Sequence, residues 1–181
     1  GRRPRIMASQ LKVDEINSVT TNGNLTIEPN GTGLIVPKRN LVFRVEATDT
    51  DQAITGGTNP VIQWETVSLD TGSYWDSTNH RYTPSVAGWY LFGGVVRGNF
   101  SNILSLMGLL FFKNGSHVIR SQFQLNTDQF SNGSYPFATT MIQMNGSGDY
   151  VDARIETDED CSIHDNASVP SELWGMLVHG T

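Results

Sequence analysis

The chain has 181 residues, of which 38% are hydrophobic and 17% charged, with 18 glycines, one cysteine and a formal net charge of -6. That length suits one domain with a short extra segment, and so few charges among so many turn formers exclude a disordered or helix-rich chain. The acidic balance argues against nucleic acid or anionic lipid as a partner, although Arg2, Arg3 and Arg5 make a small basic start, and the single Cys161 excludes an intrachain disulfide.

Residues 1–40 carry few large apolar side chains and many turn formers, as in Asn22-Gly23-Asn24 and Pro29-Asn30-Gly31-Thr32-Gly33. Leu25 and Ile27 alternate with Asn24, Thr26 and Glu28, which suits a short half-buried strand that cannot build a core by itself. This stretch is expected to be an attachment segment. There is no run of about 18 apolar residues to span a bilayer and no leader-like start, so neither membrane insertion nor secretion is expected. The several Asn-x-Ser/Thr triplets are read as turn chemistry.

From residue 41 to 181 β-type runs alternate with turns at roughly ten-residue spacing. The expected strands are Leu41–Val45, Val61–Val67, Trp89–Val96, Leu104–Phe112, His117–Phe123, Pro136–Met144, Tyr150–Ile155 and Leu173–Val178. About eight strands joined by Gly/Asn/Asp turns predict an all-β sandwich or barrel. The clearest hairpin is Lys113-Asn114-Gly115-Ser116, because Asn-Gly supplies the positive φ angles of a type I′ turn; Asn145-Gly146-Ser147-Gly148-Asp149 does similar work later.

A strand on the surface of a lone sandwich buries one face and wets the other. Three runs here are apolar on both. Tyr90, Phe92 and Val96 oppose Trp89, Leu91 and Val95, and the same holds through Leu106–Phe112 and Leu173–Val178. One face of each fills the space between the sheets; the other predicts self-association. The expected trimer or core contacts are therefore Trp89, Tyr90, Leu91 and Phe92, then Leu109, Leu110, Phe111 and Phe112, then Trp174 and Met176.

Catalytic chemistry is hard to assemble from this sequence. The four histidines stand far apart, and there is no His-x-x-x-His pair, Cys-x-x-Cys or Gly-x-Ser-x-Gly elbow. The dense acidic run Glu156–Asp165 reads as a solvated loop between the last two strands, without the Gly-punctuated spacing of a calcium loop. No cofactor, metal or enzyme activity is expected. Trp75 reads as an exposed loop aromatic.

Several ordered motifs carry a likeness. Gly72-Ser73-Tyr74-Trp75-Asp76 followed by Tyr82-Thr83-Pro84-Ser85-Val86-Ala87-Gly88-Trp89-Tyr90-Leu91-Phe92 resembles the signature of the complement component 1q and tumour necrosis factor superfamily of globular heads. Lys113-Asn114-Gly115, Gly148-Asp149-Tyr150-Val151 and Ser171-Glu172-Leu173-Trp174-Gly175-Met176-Leu177 resemble its hairpin, its Gly-Asp-x-Val step and its closing strand. The resemblance implies a two-sheet jelly-roll sandwich over residues 41–181, a homotrimer packed along its threefold axis, and a role by contact.

Complement-type heads usually follow a collagen stalk, which is not seen here. In its place Ala8-Ser9-Gln10-Leu11-Lys12-Val13-Asp14-Glu15-Ile16 is similar to the starts of tailed-bacteriophage structural proteins. That similarity implies a virion component, a capsid decoration protein or a small head or tail fibre knob, with the major capsid protein or other virion proteins as partners. Leu11, Val13, Ile16, Leu25 and Ile27 are the expected attachment residues. The alternative is a trimeric cell-surface or extracellular module that recognises carbohydrate or protein.

Overall fold

In the computed structural model, residues 41–47, 51–99, 106–124, 135–163 and 171–180 are described, and all belong to one compact unit, Arg39–Thr181. The expected attachment residues lie outside them. Every element described is a strand: β1 Val42–Ala47, β2 Gln52–Ile54, β3 Thr66–Asp70, β4 Trp75–Asp76, β5 Arg81–Tyr82, β6 Ala87–Val95 and β7 Gly98–Asn99. Then follow β8 Leu106–Lys113, β9 Ser116–Gln124, β10 Phe137–Asn145, β11 Val151–Thr157, β12 Cys161–Ile163 and β13 Ser171–Gly180. One five-stranded sheet runs β10-β6-β13-β1-β3 and a second runs β4-β5-β11-β8-β9, with all pairs antiparallel.

The core fills the space between these sheets because alternate residues of each strand point the same way. Phe43 and Val45 of β1, Tyr90 and Phe92 of β6, Met107, Leu109 and Phe111 of β8, and Ile155 of β11 are all sealed from solvent. Aromatic rings give this interior its order. The Phe43 ring stacks on Tyr82 at 4.1 Å, Phe92 meets Phe43 at 6.0 Å, and Phe111 meets Phe92 at 6.3 Å. Gly175 lets the Phe43 and Phe92 rings approach across β13, since a Cβ there would strike the Phe43 ring.

The expected run Val61–Val67 is not one strand. Val61 bridges Arg154 in the second sheet, whereas β3 pairs with β1 in the first. The intervening residues cross between sheets, driving Ile62 and Trp64 into the core, and His80 Nδ1 accepts the Trp64 N–H that a ladder would have used. The acidic run also differs from a plain loop. Its Cys161–Ile163 stretch is β12, the centre of a small third sheet ordered β2-β12-β7.

Two tight turns brace one end of the sandwich. Asn114 and Gly115 take φ of 52° and 76°, as a type I′ turn requires. Asp149, only 8% exposed, joins this turn to the next: its carboxylate accepts from Lys113 Nζ at 2.7 Å, Asn114 Nδ2 at 2.7 Å and Asn145 N at 2.9 Å. Burial pushes this carboxyl up, but the donors from Lys113, Asn114 and Asn145 and the lysine charge outweigh it and hold the group below its ordinary value.

Candidate functional site

The first sheet turns its second face outward, and that face is apolar. Met141, Leu91, Met176 and Val42 stand side by side across four strands. One step along, Thr139, Gly93, Trp174 and Arg44 do the same. Gly93 has a steric purpose there: a Cβ would lie 2.1 Å from the Trp174 ring, so the indole lies flat over the bare backbone and levels the surface. Leu69, Trp89, Phe137, Met141, Met176 and Val178 remain exposed on these strands, from 39% for Trp89 to 53% for Val178. Covering the remainder of each is worth about 1 kcal/mol, or about 6 kcal/mol per copy.

The sheet separates the expected contacts into two sets. Tyr90 and Phe92 belong to the core of the single chain, whereas Trp89, Leu91, Trp174 and Met176 belong to the outward face. On β8, Leu109 and Phe111 are core residues. Leu110 and Phe112 point to the other side of the second sheet, yet Leu110 is only 3% exposed in the single chain. It stands between Arg154 and Arg120 on the flanking strands, and the Arg154 guanidinium covers the Phe112 ring at 4.1 Å. Arg154 pairs with Asp152, and Arg120 with Glu156. The arginine stems thus supply the second cover that the sequence assigned to self-association.

A second exposed apolar patch runs along one side of the sandwich. There β9 and β10, each the edge strand of its sheet, pack against one another. Val118 and Phe123 of β9 and Phe137 of β10 are all exposed along these edges.

The acidic run is engaged locally. Asp158 accepts Leu106 N and Asp160 accepts Gly56 N, so two of the acidic residues tie down backbone amides. Among the described residues, no three His, Cys, Asp or Glu side chains are grouped to hold a metal. Cys161 is buried, and burial first of all pushes its thiol up, which suppresses the nucleophilic thiolate. Trp75 is half-buried in β4 and stacks on Phe43 at 5.8 Å, so it supports the core instead of standing free in a loop.

Two facing antiparallel sheets, five strands each, define the class of the head: an all-β jelly roll of tumour necrosis factor type. In particular, the chain is similar to murine APRIL at pH 8.5, with 12% identity and a TM-score of 0.57 over 77% of this chain and 100% of that one. It is also similar to Eiger TNF from S. frugiperda, with 8% identity and a TM-score of 0.56 over 77% and 92% of the two chains. At such identities the likeness is one of fold. No protein-family model matches the chain, and no curated protein matches it by sequence.

Proposed function

We propose that the chain is the head of a homotrimer that acts by contact, as a recognition or structural module, and not by catalysis. The observation that carries this reading is the flat apolar face of the first sheet, with Trp89, Leu91, Trp174, Met176 and Met141 at its centre. The face and the β9–β10 edge share Phe137 at their border but are otherwise distinct patches on one chain. A contact between unlike patches is head-to-tail, and in a finite assembly it must close as a ring. The resemblance to the complement component 1q and tumour necrosis factor superfamily supports a ring of three. The second sheet, with its arginine-covered face, is left outward to meet other partners.

The seat of this head is a narrower proposal. The likeness of residues 8–16 to tailed-bacteriophage structural proteins supports a virion component, attached by the N-terminal segment to a capsid or fibre. The alternative is recognition of carbohydrate or protein at a cell surface. Mass spectrometry of purified particles tests the choice: the virion reading expects the chain in multiples of three per particle. Its absence from particles, together with capture of a glycan or surface protein by the trimer, overturns the virion reading in favour of the alternative. Deletion of residues 1–33 is expected to leave the trimer intact and to abolish particle attachment; retained attachment places docking on the jelly roll.

A further inference from the structure

The outward face of the first sheet ends in charge. Glu172 of β13 stands directly opposite Val95 on one side and Glu46 of β1 on the other. Two carboxylates so placed repel unless a cation is shared between them. Arg44 is that cation: it holds Glu172 through Nε at 2.9 Å and Nη2 at 2.6 Å, and reaches Glu46 Oε1 at 3.3 Å. One guanidinium for two carboxylates leaves one negative charge over. Glu46 carries the excess. Its side chain is 15% exposed, and among the described residues both of its partners, Arg44 and Ser68 Oγ, engage the same oxygen, Oε1. Oε2 is left over.

At the same end of the face stands the opposite surplus. Val96, fully buried and bonded through its N–H to Pro136 O, continues the alternation of β6 by one residue and so turns Arg97 to the outward side. The backbone there is fixed, with Arg97 N donating to Ser171 Oγ at 2.9 Å. The guanidinium is not: Nη1 is covered without a hydrogen-bond partner, and no carboxylate among the described residues pairs with Arg97. A half-buried cation with no counter-charge among the described residues is costly in a single chain and calls for a partner. Glu172, on the neighbouring strand β13, is engaged by Arg44 of β1.

We propose that in the homotrimer Arg97 of one copy pairs with Glu46 of the next, so that Arg97, Arg44, Glu46 and Glu172 form a neutral group across each subunit boundary. The inference rests on the trimer reading above. A threefold axis running along the strands keeps every level of the sheet at one height. When the β6–β10 side of one copy meets the β1–β13 side of its neighbour, the residues at the same end of the face come together. The planar fork of the guanidinium suits the free carboxylate oxygen. Such a pair fixes the register of the apolar faces, which by themselves could slide.

Charge reversal tests it. The monomer–trimer equilibrium of the full chain is measured by analytical ultracentrifugation for the wild type, Arg97→Glu, Glu46→Arg and the double variant, at low and high salt. Each single reversal is expected to weaken the trimer at least about tenfold at low salt and less at high salt, and the double variant to recover to within about threefold of the wild type. A double variant as weak as the singles, or singles as tight as the wild type, overturns the pair while the trimer reading stands; a monomeric wild type overturns that reading itself. Because Glu46→Arg places a second cation beside Arg44, a further variant joins Arg97→Cys to Glu46→Cys with Cys161→Ser. Two thiols bond directly only when their backbones are much closer than an arginine–glutamate pair requires, so a short bis-maleimide is used to span the gap. It is expected to link the copies into covalent trimers, and the absence of intermolecular links contradicts the pair.

Discussion

Replacing Asp149 by asparagine removes a charge from a nearly closed site without changing its shape. In the wild type the carboxylate receives Lys113 Nζ, Asn114 Nδ2 and Asn145 N, all within 2.9 Å. A hydrogen bond to a charged group is worth about 1.5–3 kcal/mol. Lys113 is 29% exposed and can turn to water, so its share is discounted; the other two donors set the loss at about 3 kcal/mol. For a domain of this size that corresponds to a fall of roughly 10 °C in Tm. The acid dependence follows from the sign of the shift. The folded group titrates below its unfolded value, so its contribution is complete above about pH 4 and disappears as the pH falls through the folded value. Urea unfolding followed by tryptophan fluorescence at fixed protein concentration, at pH 7 and again near pH 3, measures both effects. The gap between wild type and Asp149→Asn is expected to be wide at pH 7 and to narrow in acid. Equal midpoints at pH 7, or a gap unchanged by acid, would refute the assignment of Asp149 as the tie between the two turns.

Two further substitutions separate core from interface. Phe92→Asp puts a charge among Phe43, Tyr82 and Phe111 and is expected to prevent folding, whereas Met176→Asp is expected to give a folded monomer, with native near-UV circular dichroism and about one third of the wild-type mass. Gly93→Val drives the Trp174 indole off the sheet; a folded chain with weakened self-association and altered tryptophan fluorescence is expected, and unchanged association counts against a flat interface at that level.

The long strands were legible because alternation of apolar and polar residues, or an Asn-Gly turn, is written locally. Leu106–Lys113 and Ser116–Gln124 around Asn114-Gly115 are the clearest example. The two-residue strands β4 and β5 were not legible, since nothing shorter than a full period marks a strand and their pairing depends on Asp70 accepting Gly72 N and Trp75 N. The run from Val61 looked like one strand because alternation survives a crossing between sheets when Ile62 and Trp64 still point inward. Trp75 looked exposed because its stacking partner, Phe43, lies 32 positions away.

The outward apolar face was half legible. Two apolar faces on Trp89–Val95 were plain from the sequence, but which of them the single chain keeps depends on distant rings, Phe43, Tyr82 and Phe111, that gather Tyr90 and Phe92 inward. On Leu106–Phe112 the same pattern had a different outcome. There Arg154 and Arg120 lie beside Leu110 across the ladder, and a long cation over an apolar side chain leaves no local trace in the sequence.

The central claim is that the apolar face of the first sheet is closed by copies of the same chain. Multi-angle light scattering of the purified full chain at micromolar concentration tests it most directly. A single species of three chains is expected, about 60 kDa from a 19.9 kDa chain. A clean 19.9 kDa monomer at that concentration would contradict it.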